Sequence, residues 1–164
     1  MFVAVMCMAG VSACSHKGVV ASAPAPSLAQ QEQDVRKAIT QFYTDLNVVF
    51  RGDGKLMNEL WSHADDITYM GPSGGFQIGW KQVGEEWDRQ VAFKLGGKIE
   101  PTDLHVTVSN GLAVVSNYEK GANVDAKGKD ISVSLRVTSM FRLEGGHWKM
   151  IGHHTDLIPS LGKK

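Results

Sequence analysis

The sequence predicts an α+β domain, because helical patterns fill its first half and strand patterns its second half. Between residues 28 and 94, apolar side chains recur at the spacing of amphipathic helices. From residue 104 onward apolar and polar residues alternate, and Asn110-Gly111 and Gly145-Gly146 mark tight turns between strands. Three helices on one face of an antiparallel meander are therefore expected to share one core.

Start and stop signals place the three helices. The first is predicted to begin at Ser27, which can form a capping box with Gln30, and to end before Gly52. Asp53 can cap a short second helix, and a third is predicted over residues 79–94. The predicted strands cover residues 67–70, 104–108, 112–120, 131–142 and 148–157.

Composition limits the function classes. Seventeen Lys and Arg balance seventeen Asp and Glu in the 164 residues, so the formal net charge is zero. This balance argues against nucleic-acid binding and against a polybasic membrane surface, since both need an excess of positive charge. The length suits one domain that buries roughly 70% of the surface of its unfolded chain.

The first residues are typical of an export leader. Residues 1–13 are uncharged and mostly apolar, too short for a bilayer span of about 20 residues but long enough for a signal-peptide core. Val11 to Cys14 resembles a bacterial lipobox, which predicts lipidation of Cys14; the alternative is an ordinary signal with a stray cysteine. An exported lipoprotein, periplasmic or anchored in the outer membrane of a bacterium, is expected.

The remaining boundaries follow from composition. Residues 14–27 are rich in Pro, Ala and Ser and are predicted to be a flexible tether, followed by the domain over 28–158 and a tail over 159–164. Both cysteines, Cys7 and Cys14, precede the domain, so no disulfide or cysteine metal site is available inside it. No P-loop is present, and neither a metal nor an organic cofactor is expected.

Five short motifs follow one another along residues 28–158. They are Tyr69 to Phe76, Gly79-Trp80, Arg136 to Thr138, Gly145 to Trp148, and His153 to Asp156. In this order they resemble the SnoaL-like and ketosteroid-isomerase-like branch of the nuclear transport factor 2-like superfamily. The resemblance implies a cone, in which a curved antiparallel sheet wraps over three helices and leaves a pocket at its open end. It does not imply one reaction, because relatives include isomerases, cyclases, dehydratases, epoxide hydrolases and non-catalytic modules.

The last predicted strand carries the densest polar cluster. Strand alternation puts His154 and Asp156 on one face and His153 on the other. A two-residue turn would set Arg136 opposite Thr155, on the His153 face, whereas a three-residue loop would set it opposite Asp156. A shift of one residue reverses every side chain, so the sequence leaves both registers open.

Three of these side chains are the catalytic candidates. His154 could act as a general base, because imidazole titrates near neutral pH. Arg136 could anchor a substrate carboxylate or an enolate oxygen, and Asp156 could orient His154 or pair with Arg136. The structural alternatives are a plain Arg136–Asp156 ion pair and a histidine satisfied within the core. A shared metal ion is disfavoured, because adjacent histidines on a strand point apart.

Aromatic side chains are the candidates for the pocket wall, although such residues also fill ordinary cores. The predicted ligand-binding residues are Tyr69, Trp80, Trp61 and His153. A carboxylate near Tyr69, such as Asp65 or Asp66, would suit proton transfer on a carbon acid, with the phenol stabilising the oxyanion. The alternative is that both aspartates belong to a solvated loop or a helix cap.

The expected function is an exported domain that binds, and isomerises or hydrolyses, a small apolar organic molecule in its pocket without a cofactor. The alternative is a non-catalytic interaction or dimerisation module of the cell envelope. A homodimer through the outer sheet face is expected, because the strand over residues 131–141 has one apolar face and one mixed face. No nucleic-acid partner is expected, and contact with a membrane is expected only through the lipid anchor.

Overall fold

The structure is a computed structural model that describes residues 26–157. The predicted leader and tail, and the tether before Pro26, lie outside the described residues. Within them the helices are α1 (Leu28–Val49), α2 (Lys55–Leu60) and α3 (Gly79–Phe93). The strands are β1 (Thr68–Met70), β2 (Gln77–Ile78), β3 (Lys98–Ser109), β4 (Leu112–Val124), β5 (Asp130–Glu144) and β6 (His147–Leu157). None of the described helices is long and apolar enough to cross a bilayer.

Helix α1 begins where its capping signal predicts. The Ser27 hydroxyl accepts a hydrogen bond of 3.2 Å from the backbone N–H of Gln30, which satisfies one of the free N–H groups at a helix start. The helix then buries apolar side chains at helical spacing, namely Val35, Ile39, Phe42, Leu46 and Val49. This stripe faces the sheet and forms one wall of the core.

The six strands form one curved sheet in the order β2-β1-β6-β5-β4-β3. Strands β3 to β6 make the predicted antiparallel meander. The short strand β1 runs parallel to β6, with Tyr69 opposite His153, so the sheet is mixed and not wholly antiparallel as expected. Alternation identifies a strand but not its neighbour, and this neighbour lies more than 80 residues further along the chain.

Two bulges help to curve the sheet, since a bulge bends a strand and increases its twist. In β3 the register shifts between Thr102 and His105, where Asp103 has a left-handed φ of 58°. In β6 the register shifts at Ile151, which has no partner on β5. We call the face towards the helices the inner face and the opposite one the outer face.

The second bulge decides which residues share a face. Glu144 pairs with His147, so the turn between β5 and β6 has two residues, as in the first of the two predicted registers. The extra residue at Ile151 then shifts the pairing, and Arg136 lies opposite Asp156, as in the second. His153 consequently points to the inner face, whereas His154 and Asp156 lie on the outer face with Arg136.

Candidate functional site

A cavity of about 360 Å³ lies between the helices and the inner face. It is located at the end of β5 and β6 that is far from their turn, where Leu135 pairs with Leu157. Its apolar wall includes Leu46, Phe50, Trp87, Leu95, Ile99 and Leu135, and its polar groups include Tyr69, Gln90, Glu119, Asn123, His153 and Thr155. No Lys or Arg among the described residues lines this cavity, which we call the cone cavity.

The His153 imidazole is fixed by three strands. It is 3% exposed, and its Nδ1 lies 2.9 Å from Ser139 Oγ on β5. Its ring lies nearly parallel to the Tyr69 ring of β1, with centroids 6.0 Å apart. Ser139 is fully buried and does not line the cavity, so it orients the imidazole and is not placed to attack a ligand.

Glu119 brings a carboxylate to the same place. It lies on the inner face of β4, is 4% exposed, and its Oε1 is 3.4 Å from His153 Nε2. That distance is long for a charge-assisted hydrogen bond, and Oε1 has no shorter hydrogen bond to a described residue. A carboxylate and an imidazole at this spacing can exchange one proton, and both line the cone cavity.

Two tyrosines surround this pair as neutral hydroxyl groups. Burial, together with the charge of Glu119, raises the pKa of Tyr43, whose hydroxyl accepts a hydrogen bond of 2.7 Å from Asn117. Burial likewise raises the pKa of Tyr69, whose hydroxyl accepts a hydrogen bond of 2.7 Å from Gln90 Nε2. Both phenols therefore stay protonated near neutral pH, and of the two only Tyr69 lines the cavity.

The three predicted catalytic residues lie elsewhere. Arg136 and Asp156 form a bidentate ion pair of 3.0 and 2.7 Å on the outer face, with side chains 57% and 58% exposed. His154 lies beside them, with Nε2 2.9 Å from Thr68 Oγ1, and burial followed by the neighbouring His153 lowers its pKa. All three line an open groove of about 710 Å³ outside the sheet. The expectation that they meet a ligand together with Tyr69 inside the cone is therefore corrected.

Of the four predicted wall residues, the structure brings Tyr69 and His153 to the cavity. Trp61 is 1% exposed and packs behind Tyr69, with ring centroids 6.3 Å apart, so it belongs to the core. Trp80 stacks on His63 with centroids 4.1 Å apart and does not line the cavity. Trp80 and Trp87 are seven positions apart and share a face of helix α3, but Trp80 lies in the first turn of the helix, two turns away from Trp87, which lines the cavity.

The aspartates before β1 do not serve Tyr69. Asp66 accepts two hydrogen bonds of 2.7 and 3.1 Å from Arg142, and these hydrogen bonds lower the pKa of Asp66. Neither Asp65 nor Asp66 lines the cone cavity. Within residues 26–157, no three His, Cys, Asp or Glu side chains are grouped closely enough to hold a metal ion.

The sequence profile of the SnoaL-like domain matches residues 35–158, and the chain belongs to this family. No curated protein matches the chain. Solved structures with the nuclear transport factor 2-like fold do match, and we report three of them.

A candidate dehydratase of the nuclear transport factor 2-like family, from Streptomyces avermitilis, has a TM-score of 0.72 and 22% identity, over 82% of this chain and all of its own. A nuclear transport factor 2-like superfamily protein from Salmonella enterica has a TM-score of 0.69 and 14% identity, over 84% of this chain and 99% of its own. A candidate ketosteroid isomerase from Shewanella frigidimarina has a TM-score of 0.58 and 16% identity, over 73% of this chain and 91% of its own. At these identities the likeness establishes the fold alone.

Glu119 and Gln90 were not identified from the sequence. Glu119 had a usable signal, because it stands two residues after Asn117 and four after Val115 on a strand whose odd-numbered residues face inward. Gln90 had none, since a glutamine that follows Asp88 and Arg89 on a helix is typical of a solvated helix face.

Proposed function

We propose that the cone cavity binds a small, largely apolar organic molecule and transfers a proton on it. The observation that carries this proposal is the buried Glu119–His153 pair in the wall of an apolar cavity. Burying an ionised carboxylate costs several kcal/mol, roughly, unless it is fully paired and hydrogen-bonded. Buried acid–base pairs beside a cavity are typical of functional sites.

The positions of Glu119, His153 and Tyr69 suggest a separate role for each group in this reaction. Glu119 and His153 together remove or supply the proton, and the neutral Tyr69 hydroxyl stabilises negative charge that develops on a ligand oxygen. Isomerisation by proton transfer beside a carbonyl group fits this set. A nucleophilic role for Ser139, the serine that contacts His153, does not fit, because Ser139 lies outside the cavity lining.

The test uses 2-tetralone, an apolar ketone with acidic C–H bonds beside its carbonyl group. Isothermal calorimetry should show binding, and NMR in D2O should show protein-dependent deuterium incorporation next to the carbonyl. Val133 lies in the cavity wall, whereas Ile131 does not line the cavity although it is two residues away on the same strand. Val133→Trp should abolish binding and Ile131→Trp should preserve it. Binding that survives Val133→Trp contradicts the site.

Export and lipidation of Cys14 belong to this proposal, supported by the apolar leader and the lipobox-like Val11 to Cys14. Metabolic labelling with radioactive palmitate tests it. The parent chain should carry label and fractionate with membranes, whereas Cys14→Ser should not. An unlabelled parent chain in the cytoplasm contradicts this part alone.

A second candidate is the envelope interaction module. The outer face exposes Leu112, Val114 and Tyr118 on β4, with fractions of 51%, 42% and 37%. We propose that this face forms a homodimer, because apolar side chains on a sheet without covering helices favour a second sheet. Light scattering on residues 26–164 should give a dimer and Val114→Lys a monomer. A monomeric parent at high micromolar concentration excludes it.

A further inference from the structure

Three side chains on helix α3 form a hydrogen-bonded chain that ends at Tyr69. Arg89 donates two hydrogen bonds to Glu86, of 2.7 and 2.5 Å. The Gln90 side-chain nitrogen lies 3.1 Å from Glu86 Oε1 and 2.7 Å from Tyr69 Oη. Gln90 and Tyr69 both line the cone cavity, and Glu86 is buried behind them.

Glu86 determines which way the Gln90 amide is turned. Burial raises the pKa of Glu86, but the hydrogen bonds from Arg89 and Gln90 outweigh it and hold the pKa below its usual value. The ionised carboxylate only accepts hydrogen bonds, so Gln90 must turn its NH2 group and not its oxygen towards it. That nitrogen also reaches Tyr69, and Tyr69 Oη is therefore an acceptor in this contact.

The hydroxyl proton of Tyr69 is consequently left for another acceptor. Among the described residues none accepts it within hydrogen-bond distance; Gly71 packs beside the end of the ring, and Tyr69 lines the cone cavity. We propose that Gln90, held by Glu86 and Arg89, is a positioning residue that turns the Tyr69 proton into the cavity. The ligand's polar group at Tyr69 is then a hydrogen-bond acceptor, such as a neutral carbonyl oxygen. This inference rests on the proposed ligand-binding function.

The test compares two probes of nearly equal shape, 2-tetralone with its carbonyl group and tetralin without it. One net hydrogen bond should favour 2-tetralone by about tenfold in Kd, a ratio measured by calorimetry. Tyr69→Phe should reduce the ratio to about one or below, because phenylalanine donates no hydrogen bond and the carbonyl group of 2-tetralone still loses its water on binding. Gln90→Glu should do the same, because its carboxylate accepts the Tyr69 proton. Glu86→Gln should lower the ratio, whereas Glu85→Gln, an exposed neighbour on the same helix, should not.

Tetralin affinity separates positioning from mere structure, since damage to the cavity would weaken both probes together. An unchanged ratio in Gln90→Glu and Gln90→Leu, with tetralin still bound, overturns the inference and leaves the proposed function standing. A parent chain that binds neither probe rejects the proposed function and the inference with it. NMR of the parent chain gives a second measurement, because both Gln90 side-chain amide protons should be protected from exchange. Rapid exchange of either proton overturns the inference without any variant.

Discussion

Glu119 and Asp156 are carboxylates on the same sheet, and the face that each occupies decides what it can do. Glu119 lies on the inner face, is 4% exposed, and its Oε1 lies 3.4 Å from His153 Nε2. Asp156 lies on the outer face, is 58% exposed, and is neutralised by two hydrogen bonds from Arg136. Water screens the outer pair, and such surface ion pairs contribute little. The inner pair is buried from water, and the proton transfer that we propose uses it.

The same contrast separates two neighbouring histidines. His153 and His154 are adjacent in sequence, but one stacks beside Tyr69 in the cone cavity and the other contacts Thr68 outside. Residue type alone therefore does not tell which of the two histidines reaches the cone cavity. The decisive information was the face of the strand.

The largest effect is expected from removing the inner carboxylate. Glu119→Gln keeps the shape of the side chain but cannot carry the proton, so deuterium exchange on 2-tetralone should fall by about 10²–10⁴-fold. Asp156→Asn makes the same chemical change on the outer face and should leave the exchange rate unchanged. NMR in D2O measures both rates. Equal losses in the two variants would remove the distinction between the faces.

A substitution at Gly71 should disturb the inner site through packing. A Cβ atom at this position would lie 2.6 Å from Tyr69 Oη and 2.8 Å from Tyr69 Cε1, so the buried ring would have to shift. Gly71→Ala should therefore cost about 1–3 kcal/mol in the free energy of unfolding. Gly84→Ala is the control, because its Cβ would meet the Trp80 ring at an ordinary 3.4 Å and the helix gains propensity. Urea titration compares them, and equal stabilities would show that Tyr69 is free to move.

Local patterns were sufficient for most of the fold. The Ser27 cap, the Asn110-Gly111 and Gly145-Gly146 turns and the alternation of β4 and β5 are set by neighbours in sequence, and the structure confirms them. The pairing of β1 with β6 depends on contacts distant in sequence, which no local pattern encodes. The faces of His153, His154 and Asp156 depend on a single extra residue, Ile151, because a bulge has no sequence signal here and reverses every side chain beyond it.

Two carboxylates on helix α1, Asp45 and Asp34, also differ in their burial, and a smaller effect is expected from them. Burial raises the pKa of Asp45, whereas hydrogen bonds from Lys37 and Gln30 lower the pKa of Asp34, which is only partly buried. A raised pKa means that folding favours the protonated acid, so Asp45 costs stability once the pH rises through its folded pKa. Asp45→Asn should therefore raise Tm at pH 7, with the gain disappearing below about pH 4.

Asp34→Asn is the control with the opposite sign. The pKa of Asp34 is lower in the folded chain than in the unfolded chain, so its charged form stabilises the fold at a pH above the unfolded pKa. This stabilisation is lost as the pH falls through the folded pKa. The substitution should therefore lower Tm slightly at pH 7. Calorimetric scans at both pH values measure the two differences. A gain from Asp45→Asn that persists at low pH would show that charge burial is not its cause.

The smallest effect is expected at the outer ion pair. Arg136 and Asp156 neutralise each other in water, and both are more than half exposed, so Arg136→Met should leave Tm without a measurable change. Because Arg136 lies outside the cone cavity, the affinity for 2-tetralone should also be the same as in the parent chain. Calorimetry at low and high salt extends this test, because ions screen a surface pair and any small difference in Tm should shrink at high salt. A variant that folds normally but loses 2-tetralone would restore Arg136 as a ligand anchor. It would place the functional site on the outer face of the sheet, together with His154 and Asp156.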